Sequence, residues 1–224
     1  ILYVKGNKKL LEKVVVAIIG TRHGTELGNK IAERLGEYFS QHFAICNGLV
    51  EGIDEHSIYI NHKVVPNVIG VISGGLCYKS TCSQNHARVI EDVLNANGLV
   101  ISEFSPMKKE DLYSGSTSSR IQAGLSAGVI LVQSGIDGGS KYTLDKFIKL
   151  GRVVGVVNFP ANPEYQEDAF EANRLIVEKK EYGLMKFVGL KTPKTLNVRA
   201  IIPIASKEDY KVFETKLTTQ LNLF

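Results

Sequence analysis

No stretch of this 224-residue sequence reaches the about 18 consecutive apolar residues that a membrane-crossing helix needs. Its opening, ILYVKGNKKLLEKVVVAIIGTR, is interrupted by Lys5, Lys8, Lys9, Glu12 and Lys13, which argues against an export signal and for a cytoplasmic protein. Cysteine is scarce, with 3 residues, so a disulfide framework is excluded and a reducing compartment fits. Cys46 lies in an apolar stretch and reads as core; Cys77 and Cys82 have no second cysteine pair near them, so no structural zinc site is expected. The histidines at 23, 42, 56, 62 and 86 are scattered, and neither His56 nor His62 carries a clear set of acidic and sulfur ligands. Also missing are GxxxxGK[ST] and GxGxxG, the two glycine signatures that place a nucleotide by themselves. Neither a metal nor a cofactor is expected.

The residues that are present describe a soluble globular chain: 44% are hydrophobic and 22% charged. A net charge of +4 and a pI near 8.8 permit nucleic-acid binding without requiring it. Apolar runs at 14–20, 43–48, 68–73, 98–104, 128–134 and 152–159 read as buried strands. Helical stripes separate them: Ile31, Leu35, Tyr38 and Phe39; a short helix over 51–62; another over 84–96; then Leu144, Phe147, Ile148 and Leu150. Phe170, Leu175 and Ile176 mark a helix after a polar connection beginning at 160. Strand alternating with helix implies an α/β fold, Rossmann-like and doubly wound, with a mostly parallel sheet. Beyond Gly189 the texture changes to a strand-like run at 198–204 and a helix from about 206 to 217, with Ser206 as its cap. Some 35 residues are too few to fold alone. The division expected is therefore a core over 1–189 and an appendage over 190–224, packed on the core or on another chain.

The unusual polar residues follow the strands, where open α/β sheets hold ligands. These connections are 20–28, 47–54, 73–78, 103–119 and the glycine loop within VQSGIDGGSKYTLDKFIKLG, residues 132–151. Glycines there let backbone N–H groups approach a ligand, and the helix that follows presents the positive end of its dipole to an anion. Arg22 at the first strand tip reads either as a fork for phosphate oxygens or as a brace to Asp54 or Glu103. Arg120 begins an apolar helix, where a positive charge opposes the dipole unless a phosphate compensates it. Asp54 follows glycines at a helix start and reads as a cap or as a positioner of Arg22. Glu103 could orient an arginine, meet a ribose hydroxyl or act as a base, although no nucleophile stands beside a base to make it catalytic. Lys141 follows the glycine loop, Lys108 and Lys109 are cancelled locally by Glu110 and Asp111, and Tyr78 and Tyr113 could stack on bases.

In order and spacing, KGNKKLL, VAIIGTR, NGLVEGID, VISGGL, ISEFSP, SRIQAGLS and GGSKYTLDKFIKLGRVVGVV resemble the segments of the DprA/Smf family of DNA-processing proteins, over about residues 1–178. The resemblance implies an extended Rossmann core that binds single-stranded DNA, loads a RecA-type recombinase during transformation and often works as a homodimer. By position, Gly20, Thr21 and Arg22 match the family's Gly-Ser-Arg loop, and Gly48, Gly52 and Asp54 its Gly-Ile-Asp turn. Gly74 and Gly75 fall in its central glycine loop, Ser102 and Glu103 match its Ser-Glu pair, Arg120 the last arginine of its Arg-Asn-Arg segment, and Gly139, Ser140 and Thr143 its Ser-Gly-Ser-x-x-Thr loop. Lys141 joins this phosphate-binding set, with Asp54 and Glu103 as loop-positioning residues. The chain departs from the pattern at Gly115, Ser116, Ser118 and Ser119, and at Gln133, which stands for an acidic residue. Losing a positive charge at the rim weakens phosphate contact. Two other readings stay open: a nucleotide-binding or nucleotide-processing enzyme on the same fold, and an interaction module in which Val198, Ile201 and Ile202 extend a sheet edge. Against the former, DGGSKYT carries Asp137 where related phosphoribohydrolases have proline.

Overall fold

The computed structural model describes residues 1–111, 113–158 and 167–221. An edge strand β1 (Tyr3–Gly6) is followed by β2 (Val15–Ile19), whose five residues are all buried, as a strand covered on both faces must be. Helix α1 (Glu26–Phe39) starts at Thr25, whose side chain accepts from Gly28 N–H, and leads to β3 (Ala44–Asn47). A single turn, α2 (Ile53–His56), precedes a hairpin of β4 (Tyr59–Ile60) and β5 (Lys63–Val64). Next come β6 (Val68–Val71), the short α3 (Tyr78–Thr81), α4 (Gln84–Asn95) capped by Ser83, and β7 (Leu99–Ser102). The second half supplies α5 (Ser114–Leu125), β8 (Gly128–Leu131), α6 (Ser140–Phe147), β9 (Arg152–Val157), α7 (Glu171–Val188), β10 (Val198–Ile204) and α8 (Lys207–Leu221). None of the helices is long and apolar enough to cross a membrane among the described residues.

The main sheet runs β1-β7-β6-β3-β2-β8-β9-β10, and every pairing is parallel except that of β1 with β7. This is the α/β, doubly wound and mostly parallel architecture that the alternation predicts. Alternate residues of each strand serve opposite layers. Val16 and Ile18 join Leu35, Phe39, Ile90, Val93 and Phe213 in one apolar cluster, while Ala17 and Ile19 join Phe147, Ile176 and Leu184 in another. In the segment from 190 onward, β10 continues the parallel sheet beside β9, from Val198 opposite Arg152 to Ile204 opposite Val157. Its helix α8 packs Phe213 edge-on against Phe39, with ring centroids 5.7 Å apart.

One expected element differs. The helix over 51–62 is only the turn α2, because Asn61 and His62 adopt left-handed φ values of 49° and 62° and fold Tyr59–Val64 into a hairpin. Two consecutive positive φ values make the primed turn that joins adjacent antiparallel strands. Tyr59 anchors the hairpin by donating its hydroxyl to Asp92 Oδ2 at 2.6 Å. The polar connection expected from 160 lies, through 166, outside the described residues, as does Phe159 of the last expected core strand.

Candidate functional site

From β2 the chain winds outward through β3, β6 and β7, and then returns to place β8 on the other side of β2. The loops leaving β2 and β8 therefore diverge at their carboxyl ends, which is a topological switch point. Neutral hydrogen bonds pin them together there. Thr21 N–H donates to the Gln133 carbonyl at 2.9 Å, Thr25 N–H to Gln133 Oε1 at 2.9 Å, and Gln133 Nε2 to Thr25 Oγ1 at 3.1 Å. Gly28 makes room for this amide, since a Cβ there would sit 2.0 Å from Gln133 Oε1. Above this clamp opens a cavity of about 820 Å³.

Eight of the sequence-selected residues line the cavity: Gly20, Thr21, Arg22, Gly48, Asp54, Gly139, Ser140 and Thr143. Gly52, Gly74, Gly75, Glu103, Arg120 and Lys141 stand outside its lining. Gly52 backs the Arg22 loop: at φ 81°, its missing Cβ would lie 2.4 Å from the Arg22 carbonyl oxygen, and neighbouring Ile53 N–H donates to Thr21 O at 3.1 Å. Gly74 accepts from Ser102 Oγ at the end of β7 at 2.7 Å, and Gly75 donates to Lys108 O at 2.8 Å, so the loop after β6 is fastened to β7 and to the long connection that follows it. Arg120 forms an ion pair with Glu103, the bracing role that the sequence leaves open for Arg22. Among the described residues, no carboxylate lies within ion-pairing distance of the exposed Arg22. Lys141 Nζ lies 4.0 Å from Asp137 Oδ1 and 5.6 Å from the Tyr142 ring centre.

Asp54 does not cap α2. Gly52 holds the cap position, and Asp54, buried in the first turn, accepts from Gly48 N–H at 2.8 Å through Oδ2. Burial pushes its carboxyl up to about 7, against the lowering influence of that hydrogen bond and of Arg22 and His86. His86 bridges the opposite wall, with Nδ1 at 2.8 Å from Glu110 Oε2 and Nε2 at 3.1 Å from the Gly48 carbonyl. Burial works to lower its pKa, but hydrogen bonding to Cys82 and Glu110 prevails and carries it up to about 9. Glu110 in turn is held below its ordinary value, first by His86.

The two helices that begin at the cavity differ at their amino ends. Asp111 Oδ1 accepts from Tyr113 N–H at 2.9 Å and Ser114 N–H at 2.8 Å, which closes α5. At α6, Gly139 occupies the cap position with no side-chain cap, and nothing lies within 4 Å of the place its Cβ would take. Lys141 N–H donates to Gly138 O at 3.3 Å and Tyr142 N–H to Gly139 O at 3.1 Å, so the N–H groups of Gly139 and Ser140 are the ones that the α6 amino end offers to an incoming group. Ser118 and Ser119 turn their hydroxyls back to Gly115 O at 3.0 Å each, and Ser119 Oγ also meets Thr143 Oγ1 at 2.9 Å. A guanidinium with no ion pair among the described residues, the N–H groups of Gly139 and Ser140 and a hydroxyl-lined wall can hold an anion without reading anything attached to it.

Two contributors escape sequence reading. Asn173 in α7 is buried and donates to the carbonyls of Val132 and Val157, each at 3.0 Å, while its Oδ1 accepts from Ser134 N–H at 3.0 Å. It fixes the ends of β8 and β9, yet nothing around it in sequence marks it. The His86–Glu110 pair joins positions 24 residues apart, so no local spacing announces it.

The family model of DNA recombination-mediator protein A matches residues 1–182. The chain is 31% identical over 169 residues to protein Smf of Escherichia coli, covering 72% of this chain and 43% of that protein. It is 29% identical over 154 residues to the DNA processing protein DprA of Streptococcus pneumoniae, covering 69% and 54%. It thus spans about half the length of the relatives it matches. A solved structure of DNA processing protein A from Helicobacter pylori, a protein described for its single-stranded-DNA binding mode, superposes with a TM-score of 0.69 at 24% identity, covering 84% of this chain and 85% of that one. At that identity the likeness speaks to the fold.

Proposed function

The chain belongs to the DNA recombination-mediator protein A family, and from that premise we propose that it binds single-stranded DNA as a DNA-processing protein, holding backbone phosphates at the switch-point cavity. The observation that carries this reading is Arg22, without a carboxylate partner among the described residues, across the cavity from the uncapped amino end of α6. Arg22 supplies a bidentate fork for phosphate oxygens, and the N–H groups of Gly139 and Ser140 supply the opposing grip. Ser140 and Thr143 complete the contact from α6, with Lys141 beside them. Glu103 takes Arg120 as its partner, so Arg120 shapes the rim before it touches a strand. Contacts of this kind leave the bases unread. We assign binding to residues 1–189 and a supporting role to residues 190–224, place the protein in the cytoplasm, and take a RecA-type recombinase and a second copy of the chain as partners on family membership alone. Equilibrium binding to labelled single strands, duplex and free nucleotides over a salt series tests the reading. Absence of strand binding at low salt would sink it.

A second reading is a nucleotide-binding or nucleotide-processing protein. It is favoured by the cavity volume, about 820 Å³, which falls in the range of small-molecule sites, and by a buried carboxyl, Asp54, with a pKa near neutrality. Nucleoside monophosphates that displace labelled strands, together with base release from them, would support it. Neither displacement nor turnover removes it.

A further inference from the structure

We propose that Cys82, His86 and Glu110 form a binding site for a zinc-class divalent cation in the wall between the cavity and the outer face of α4. One ligand atom from each residue lies within 4.8 Å of the other two. Tetrahedral bonds of about 2.0–2.3 Å to nitrogen, oxygen and sulfur put neighbouring ligand atoms roughly 3.3–3.5 Å apart. The His86 Nδ1 to Glu110 Oε2 distance of 2.8 Å therefore opens by roughly half an ångström, and the thiol swings inward. Both movements are side-chain torsions.

The surroundings hold the ligands in the orientation a cation needs. His86 Nε2 faces the Gly48 carbonyl at 3.1 Å; donation there leaves the Nδ1 lone pair for the metal, the arrangement in which a ligating histidine gives its other N–H to a backbone oxygen. Glu110 Oε1 accepts from Ser83 N–H at 2.6 Å and Glu110 N–H donates to Thr81 O at 2.9 Å, so Glu110 is tied by one carboxylate oxygen and by its backbone to the turn that carries Cys82. Gly74 leaves space for the sulfur, since a Cβ at that position would lie 3.0 Å from Cys82 Sγ. The cation takes the place of the direct contact between His86 Nδ1 and Glu110 Oε2. Cys82 opens onto a groove beside Lys79 and Arg88, while His86 and Glu110 line the cavity, so a cation has a route from solvent and a remaining position for water. Thiolate, imidazole and carboxylate together select zinc or cobalt over magnesium and calcium, which prefer oxygen alone. The exposed Cys77 lies outside the cluster.

The test uses the full chain, stripped with a chelator and kept reduced. Zinc titrated in competition with a chromophoric chelator binds with one-to-one stoichiometry, and cobalt in its place gives the thiolate-to-metal charge-transfer absorption of a sulfur ligand. Cys82→Ser abolishes that absorption, Cys82→Ser and Glu110→Gln each weaken zinc binding by about tenfold or more, and Cys77→Ser changes neither. Cobalt bound without a thiolate band, zinc affinity unchanged in Cys82→Ser, or no stoichiometric binding would each overturn the proposal. The cobalt spectrum of the unsubstituted protein decides the matter even where a variant fails to fold.

Discussion

Replacing Arg22 by alanine separates holding a ligand from holding the fold. The side chain is exposed and makes no ion pair among the described residues, so its loss should move the urea midpoint by no more than about 0.5 kcal/mol equivalent. If it forks onto a phosphate, removing a charge-assisted contact of roughly 1.5 kcal/mol should weaken single-strand binding about tenfold at low salt, by similar factors for unrelated sequences. The slope of log affinity against log salt should flatten by roughly 0.7, so the variant loses roughly 2.5-fold less affinity than the parent over a fourfold rise in salt. Anisotropy of labelled oligonucleotides at several salt concentrations gives affinity and slope, and urea unfolding of the same preparations gives the midpoint. Arg120→Ala is the contrast: it strands Glu103, whose Oε1 is already buried without a partner among the described residues, and should lower stability by about 1 kcal/mol. An Arg22→Ala protein with an unchanged salt slope and a lowered midpoint would refute the reasoning and make Arg22 structural.

Asp54→Asn tests the buried carboxyl. Its folded pKa near 7 exceeds the ordinary 3.8, so the folded state holds the proton more tightly, and Asp54 subtracts stability as pH rises from 3.8 to 7. The variant should lose less stability than the parent between pH 5 and pH 8, by at most about 3 kcal/mol, since the difference accrues only up to the folded pKa of about 7 at about 1.4 per unit, and parallel pH–stability curves would contradict the shift. Gly139→Val should leave the urea midpoint unchanged, because the Cβ enters open space at φ −64°, while blocking the approach of a phosphate to α6; unimpaired strand binding would place the contact elsewhere. Asn173→Ala should cost roughly 2–4 kcal/mol by leaving the carbonyls of Val132 and Val157 and the Ser134 N–H unmet, and a midpoint within experimental error of the parent would show that water replaces the amide.

The sheet was legible because its strands are buried on both faces: VVVAIIG and GVILV are continuous apolar runs that a half-exposed strand would not sustain. The run at 198–204 was equally clear as a strand, but its parallel place beside β9 was not, since pairing depends on where the chain travels in between. The short α2 and its hairpin were misread because polar residues at helical spacing masked the left-handed pair Asn61–His62. At the site, glycine loops and Arg22 were visible as local patterns. The division of labour between the two arginines was not, because Glu103 reaches Arg120 across 17 residues of sequence. Cys82 and His86 lie four residues apart, but Glu110 meets them only through the packing of the long connection onto α4, which no spacing rule encodes.

The Gln133 clamp has a further consequence for how the protein responds to its surroundings. The bonds that fix the β2 loop against the β8 loop join an amide, a hydroxyl and backbone groups, none of which carries a net charge or titrates near neutrality. Ionic strength screens charges and leaves such bonds almost untouched. An acidic residue at the same point would couple the width of the cavity mouth to pH and to any cation nearby. With glutamine the junction is indifferent to both, like the frame of a balance that does not stretch under the weights, and the salt response of a bound anion is read against a fixed mount.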